Sequence, residues 1–269
     1  MLKQRIITAL VLVVITVWAL FYASDMGWKI TLLALAMVAA WEWTGFSRLY
    51  IKVLKVLYVL AVVIVANFMM IYAAVEHFVV LTIIEAILLM MVVHRYQFSE
   101  SQRGLASATA IGLIGLLAIA LFVSALYQFR AEMGPTILLL SMALVWAIDT
   151  GAYFSGRRFG KRKLAQFVSP GKTWEGVAGG GLFTFVFALV VLFVIDINLS
   201  LPKVMVALIL TLIALFSIYG DLFESVLKRQ VSLKDSGQIL PGHGGVLDRV
   251  DSLIIAMPML YIVWHYLQA

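Results

Sequence analysis

The sequence has no cysteine. That excludes disulfides, a thiolate nucleophile and cysteine-ligated zinc or iron–sulfur centres. Proline is sparse, with five in 269 residues, and no Pro- or Ser-rich linker, internal repeat or low-complexity tract divides the chain, so residues 1–269 read as a single domain. Charge is scarce as well: 13% of residues are Asp, Glu, Lys or Arg, about half the ~25% of soluble domains, while 64% are hydrophobic. A chain this apolar reads as a polytopic membrane protein. Its net charge of +6 would suggest nucleic acid only if the basic residues shared one soluble face. They sit instead in short segments between apolar runs, so no nucleic acid partner is expected, and membrane lipids with anionic head groups or phosphorylated substrates are.

Crossing about 30 Å of hydrocarbon takes roughly 20 apolar residues. Runs near 6–23, 28–46, 53–74, 78–94, 105–128, 135–155, 176–195, 203–222 and 251–267 predict an all-α, polytopic transmembrane bundle of nine helices. The first run exceeds a signal core of about 7–15 residues and has no small-residue cleavage site after it, so it reads as a span. With the N-terminus inside, seventeen of the 20 Lys and Arg, among them Lys3, Arg5 and Arg48, fall on inner segments, and only Lys29, Arg130 and Lys203 fall outside. The positive-inside rule therefore puts the N-terminus in the cytoplasm and the C-terminus outside. Two inter-helix segments are long, 156–175 and 223–250, and both belong to the cytoplasmic side, where they form the expected catalytic face.

Acids at membrane depth cost about 2.5–3.5 kcal/mol each on insertion scales, so each needs a partner or a purpose. Glu42, between Trp41 and Trp43, is expected to be a solvated interfacial carboxylate. Glu85 is expected to pair with a polar group in the bundle. Asp149, in WAIDTGAYFSGRR, is expected to line a polar cavity open to the cytosol. Arg157, Arg158, Lys161, Arg162 and Lys163 read as positive-inside charge and attraction for anionic lipid. In the following SPGKTWEG, Ser169, Pro170 and Gly171 read as a turn whose backbone N–H groups face an anion, with Lys172, Thr173 and Glu175 beside it. It is not a Walker loop, which needs Gly five residues before the GK where this chain has Gln166. Gly151, Gly156, Gly176 and Gly179 to Gly181 read as close helix packing, not as a dinucleotide fold.

The richest stretch is Asp221–Asp251, 31 residues that carry 9 of the 34 charges. If its first helix continues past the membrane, Asp221, Glu224, Ser225 and Lys228 share one face, at i, i+3, i+4 and i+7. Asp248 and Asp251 repeat the i, i+3 spacing after a Gly-rich reversal, PGHGG. Carboxylates gathered from two helix ends repel unless a cation lies among them. Asp221, Asp248 and Asp251 are thus candidate ligands of Mg2+ carrying substrate phosphates, with room for a second cation; pairing of these acids with Lys228, Arg229 and Arg249 is the competing account. His243 lacks metal-ligand spacing, which argues against zinc, and either donates to a phosphate oxygen or fixes the turn.

SVLKRQVSLKDSGQILPGHGGVLDRVD, Ser225 to Asp251, resembles the signature of the phosphatidate cytidylyltransferase (CDP-diacylglycerol synthase) family at Ser225, Lys228, Arg229, Lys234, Asp235, Pro241, His243, Gly244, Gly245, Asp248, Arg249 and Asp251. The upstream SPGKTWEG looks like that family's too. The resemblance implies transfer of a cytidylyl group from CTP to phosphatidate, giving CDP-diacylglycerol and pyrophosphate with magnesium. It implies a multi-pass protein of a bacterial-type cytoplasmic (inner) membrane with its active site facing the cytosol. Lys228, Arg229, His243, Asp248, Arg249 and Asp251 are then the candidate catalytic groups. Asp149, Ser169, Lys172, Thr173, Glu175, Ser225, Lys234 and Asp235 are the candidate substrate-binding ones. No activated nucleophile is needed, because the phosphate of phosphatidate, with a second pKa near that of phosphoserine at about 6, is largely a dianion at neutral pH. A CTP- or ATP-dependent lipid kinase would differ in product, and a transporter using Glu42, Glu85 and Asp149 would turn over no CTP. Whether two copies pair as a homodimer the sequence leaves open.

Overall fold

The computed structural model describes residues 2–47, 49, 51–105, 107–195, 197 and 199–268, and of residues 2–7 and 9 the backbone alone. Arg48 and the side chains of Lys3 and Arg5 lie outside the described residues. Eight helices follow in order: α1 (Leu2–Tyr22), α2 (Asp25–Trp43), α3 (Lys52–Tyr72), α4 (Val75–Phe98), α5 (Ala108–Phe159), α6 (Trp174–Val194), α7 (Lys203–Gln230) and α8 (Leu247–Gln268). Between α5 and α6 two short strands, β1 (Lys163–Ala165) and β2 (Ser169–Thr173), pair antiparallel. Among the described residues six helices, α3 to α8, are long and apolar enough to cross a membrane. The protein is an all-α, largely membrane-spanning bundle.

At 52 residues, α5 would be roughly 78 Å long if straight, more than twice the ~30 Å of hydrocarbon. It is not straight, because Gly134 takes φ 80°, which suits glycine, and Pro135 next to it has no N–H to continue the ladder. The first half begins where Trp43 Nε1 donates to Ile111 O at 2.9 Å and ends where Arg130 Nε donates to Leu20 O at 2.8 Å, at the far end of α1. The C-terminal part of α8 lies beside the kink, with Tyr261 donating to Glu132 just before it at 2.7 Å and Trp264 to Ser141 just after it at 3.0 Å, and from there the second half runs back. Two of the expected helices, 105–128 from Ala108 onward and 135–155, thus fall within α5, on either side of this reversal.

Helices α5, α7 and α8 form the buried centre, and α3, α4 and α6 each turn a row of large apolar side chains outward, Ile64, Ile83 and Leu182 among them. Such a surface suits lipid. Side chain to backbone bonds cross between helices, from Tyr58 to Gly112 O, Ser124 to Ala66 O and Gln128 to Met70 O, each worth on average about 0.6 kcal/mol in a membrane bundle. The small residues expected at a close crossing are there: a Cβ on Gly180 would stand 2.8 Å from Ile148 O, and one on Gly176 2.9 Å from Ala152 O, so α5 and α6 touch backbone to backbone.

Three expectations are corrected. SPGK is not a turn: Ser169–Thr173 is the second strand of the hairpin, and the chain reverses before it, at 166–168. Glu42 is not a solvated interfacial acid but 5% exposed. Glu85 is 1% exposed, and neither carboxylate oxygen has a hydrogen-bond partner among the described residues, so the expected polar pairing is not made.

Candidate active site

Helix α7 does continue well past its apolar stretch, to Gln230, and its last turns carry the expected face. Ser225 Oγ donates to Asp221 Oδ1 at 3.3 Å, and Lys228 Nζ lies 3.5 Å from Glu224 Oε1. Against this face the hairpin brings Lys172, whose ammonium meets Asp221 Oδ2 at 2.6 Å. Helix α8 brings Asp248 and Asp251. The two helices meet closely at Gly220, where any side chain would overlap Asp251 O.

A cavity of about 430 Å³ opens between the hairpin and α5, α6 and α7, beside this junction. Asp149, Lys172, Asp221, Ser169 and Thr173 supply its polar lining, and Tyr153, Val177 and Ile218 its apolar side. Arg157 also lines it and donates to Tyr153 Oη at 3.3 Å. This separates Arg157 from the other loop cations, which were read together as a lipid-attracting cluster. Two candidates serve the hairpin itself. Thr173 Oγ1 caps α6 by accepting from Gly176 N at 3.2 Å. Glu175 accepts from the Lys161 and Arg162 backbone N–H groups at 3.0 and 3.1 Å and pairs with Arg162 Nε at 3.2 Å. They shape the cavity mouth and hold Lys172 over Asp221.

Asp248 accepts four hydrogen bonds. Its Oδ1 takes Lys228 Nζ at 2.7 Å, and its Oδ2 accepts from Ser236 N, Gly245 N and Ser236 Oγ at 2.8, 2.8 and 3.0 Å. Asp251 stands between the two ion pairs, within electrostatic reach of Asp221, Glu224 and Lys228. Asp149 is in the same reach of Lys172 and Asp221. The junction thus sets five carboxylates, Asp149, Asp221, Glu224, Asp248 and Asp251, against two ammonium groups. An excess of hard oxygen donors of this kind suits a divalent cation. Among the described residues no three His, Cys, Asp or Glu gather tightly enough to hold an ion alone. Asp221, Asp248 and Asp251 are therefore not gathered into the three-carboxylate ligand set expected from their spacing, and Asp221 and Asp248 each hold a lysine instead.

The remaining candidates lie around a second hollow of about 560 Å³, lined by Lys234, Asp235, Gln238, His243 and Arg249. Here Arg249 clamps the reversal, its Nε and Nη2 donating to His243 O at 3.2 and 2.7 Å. Gly244, at φ 83°, lets the chain turn back on Asp248. His243 Nδ1 is buried without a hydrogen-bond partner among the described residues. Arg229 is exposed. The structure therefore brings Asp149, Lys172, Asp221, Ser225, Lys228, Asp248 and Asp251 together and leaves Lys234, Asp235 and His243 on the neighbouring loop, with Arg249 in the first turn of α8. Glu224 and Tyr153 were not among the candidates. Glu224 was within reach of the sequence, being on the marked face of α7, whereas nothing local sets Tyr153 apart from its aromatic neighbours.

Comparison with known proteins gives a consistent picture. A model described as "Cytidylyltransferase family" matches residues 3–267. The chain is 35% identical over 291 residues to the phosphatidate cytidylyltransferase of Haemophilus influenzae, covering 99% of each chain. It is 39% identical over 262 residues to that of Pseudomonas aeruginosa, covering 96% of this chain and 95% of the other. A 35% match over 263 residues to the enzyme of Brucella suis covers 97% and 92%.

Proposed function

The chain belongs to the phosphatidate cytidylyltransferase family, and from that premise we propose how its residues divide the work. It is a nucleotidyltransferase that joins CTP and phosphatidate into CDP-diacylglycerol and pyrophosphate. The observation that carries the assignment of the site is the Lys172–Asp221 pair inside a cavity that is charged on one side and apolar on the other.

The lipid phosphate, a dianion near neutral pH, attacks the α-phosphorus of CTP. One P–O bond forms, the bond to the β-phosphate oxygen breaks, and pyrophosphate leaves with the electron pair. Nothing on the chain has to be covalently modified. What the residues supply is position and charge: Lys172 and Lys228 face the triphosphate and the negative charge that grows on the leaving group, while Arg157 and Tyr153 meet the lipid phosphate from the apolar side. Asp221 and Asp251, with Glu224 behind them, are the residues that would hold Mg2+, and Asp248 would join them only by giving up Lys228. When bound, Mg2+ neutralises triphosphate and pyrophosphate oxygens. Ser225 fixes Asp221, and Lys234, Asp235, His243 and Arg249 form the wall toward the second hollow, where the rest of the nucleotide fits.

In this reading α5 crosses twice, giving nine crossings with the N-terminus in the cytoplasm and the C-terminus outside. The charge asymmetry of the loops supports it, and it sets the cavity at the cytosolic surface of a bacterial-type inner membrane. CTP then arrives from water and phosphatidate from the inner leaflet, which it does not leave cheaply at about 0.8 kcal/mol per buried CH₂. The loops 156–175 and 223–250 make up the catalytic face of one integral membrane domain. The test is an assay of purified protein in detergent with phosphatidate and CTP labelled at either the α- or the γ-phosphorus, with and without Mg2+. Label from the α-position alone should enter the lipid, and only with Mg2+; transfer from the γ-position would make the protein a lipid kinase.

A further inference from the structure

Glu42 belongs to α2, far in sequence from the signature, yet its carboxylate is built into the signature loop. Its Oε1 accepts from Val246 N at 3.0 Å, and its Oε2 accepts from Leu247 N at 2.9 Å and from Ser236 Oγ at 3.3 Å. Val246 and Leu247 carry open N–H donors at the start of α8, and a carboxylate there satisfies them and faces the positive end of the helix. The same Ser236 hydroxyl lies 3.0 Å from Asp248 Oδ2, so its one hydrogen serves Glu42 or Asp248 in turn. Asp248 in turn holds Lys228 at 2.7 Å. A continuous chain therefore runs from α2 through Glu42, Ser236 and Asp248 to the ammonium of Lys228. The loop also leaves space for Glu42: a Cβ on Gly237 would overlap its carboxylate, and the three atoms nearest that Cβ all belong to Glu42.

We propose that Glu42 is a positioning residue for the transfer reaction, fixing the loop from Ser236 to Leu247 so that Asp248 holds Lys228 in place beside Glu224 and Asp251. The proposal rests on the role of Lys228 set out above. Glutamine at 42 keeps the shape but turns an amide N–H toward backbone N–H donors, so the loop shifts while the bundle stays. Alanine at 237 produces the same shift from the other side, because Gly237 has no positive φ to lose and its new methyl would press first on a side chain pinned by three bonds.

The experiment measures steady-state kinetics of purified variants with CTP and phosphatidate in detergent, with gel filtration as the check on folding. Glu42→Gln and Gly237→Ala should each lower kcat by about 10- to 100-fold, as misplacing a reacting group by an ångström does. The KM for either substrate should change by less than about threefold. Because Gly237→Ala acts through Glu42, adding it to Glu42→Ala should slow the enzyme by no more than about twofold further. Normal kcat in Glu42→Gln, an effect on KM alone, or a Gly237→Ala loss undiminished on the Glu42→Ala background would each overturn the proposal. If Glu42→Gln does not yield folded protein, Gly237→Ala decides alone, and a normal kcat in it overturns the proposal. Lys228→Ala measured alongside keeps the premise separate: normal kcat there removes the charge role of Lys228, whereas the coupling between 42 and 237 is read independently of it.

Discussion

Asp248 ties three parts of the site together through four bonds, to Lys228, Ser236 twice and Gly245. Replacing it by Asn keeps the volume but removes the charge that holds Lys228 and puts an amide N–H where an acceptor is needed. Turnover should fall by about 10²- to 10³-fold, the range seen when one preorganised electrostatic group is lost, with the variant still folded by gel filtration; near-normal turnover would show that neither Asp248 nor its grip on Lys228 matters to the reaction. Residues such as Asp221, Lys228 and Asp251 could be picked from the sequence because helical spacing and charge density announce them. Glu42 could not. Its local context, two tryptophans at a helix end, indicates the membrane interface, and its partners stand 194 to 205 residues further on.

Among the elements, α7 was legible to its end because its charged face keeps the i, i+3, i+4, i+7 pattern through Lys228. The hairpin was not. Pro170 and Gly171 signal a turn, but strand pairing of Lys163 with Thr173, closed at its base by Glu175, draws them into a strand. That pairing depends on residues ten apart, which no single local signal reports. The crossing of α5 and α6 was legible, since glycines in an apolar helix have few other uses. It also fixes the height of the hairpin, and with it Lys172, over Asp221. Gly180→Val should therefore destabilise the bundle, because its Cβ would stand 2.8 Å from Ile148 O, an overpacking that costs about 1–3 kcal/mol or more. A thermal melt in detergent checks this: a lower melting temperature is expected, and an unchanged one would mean the two backbones are not in contact.

For the molecule as a whole, composition alone gave the inside-out architecture, and loop charge gave an orientation that places both long loops in the cytosol. The absence of native cysteine makes that orientation simple to examine. Gln238 is exposed on the signature loop, and Gln238→Cys in sealed vesicles should react with a membrane-impermeant thiol reagent from the cytosolic side only; reaction from the other side would invert the topology. The central claim is that transfer takes place in the cavity where the hairpin lays Lys172 against Asp221, next to the carboxylates of α8. The measurement that tests it most directly is kcat for Lys172→Met, which keeps the length of the side chain and removes its charge. The account predicts a loss of about 10²- to 10³-fold in folded protein, with KM for phosphatidate changed far less, because the ammonium meets charge that develops only as pyrophosphate leaves. A Lys172→Met enzyme that turns over at the normal rate would place the chemistry somewhere else.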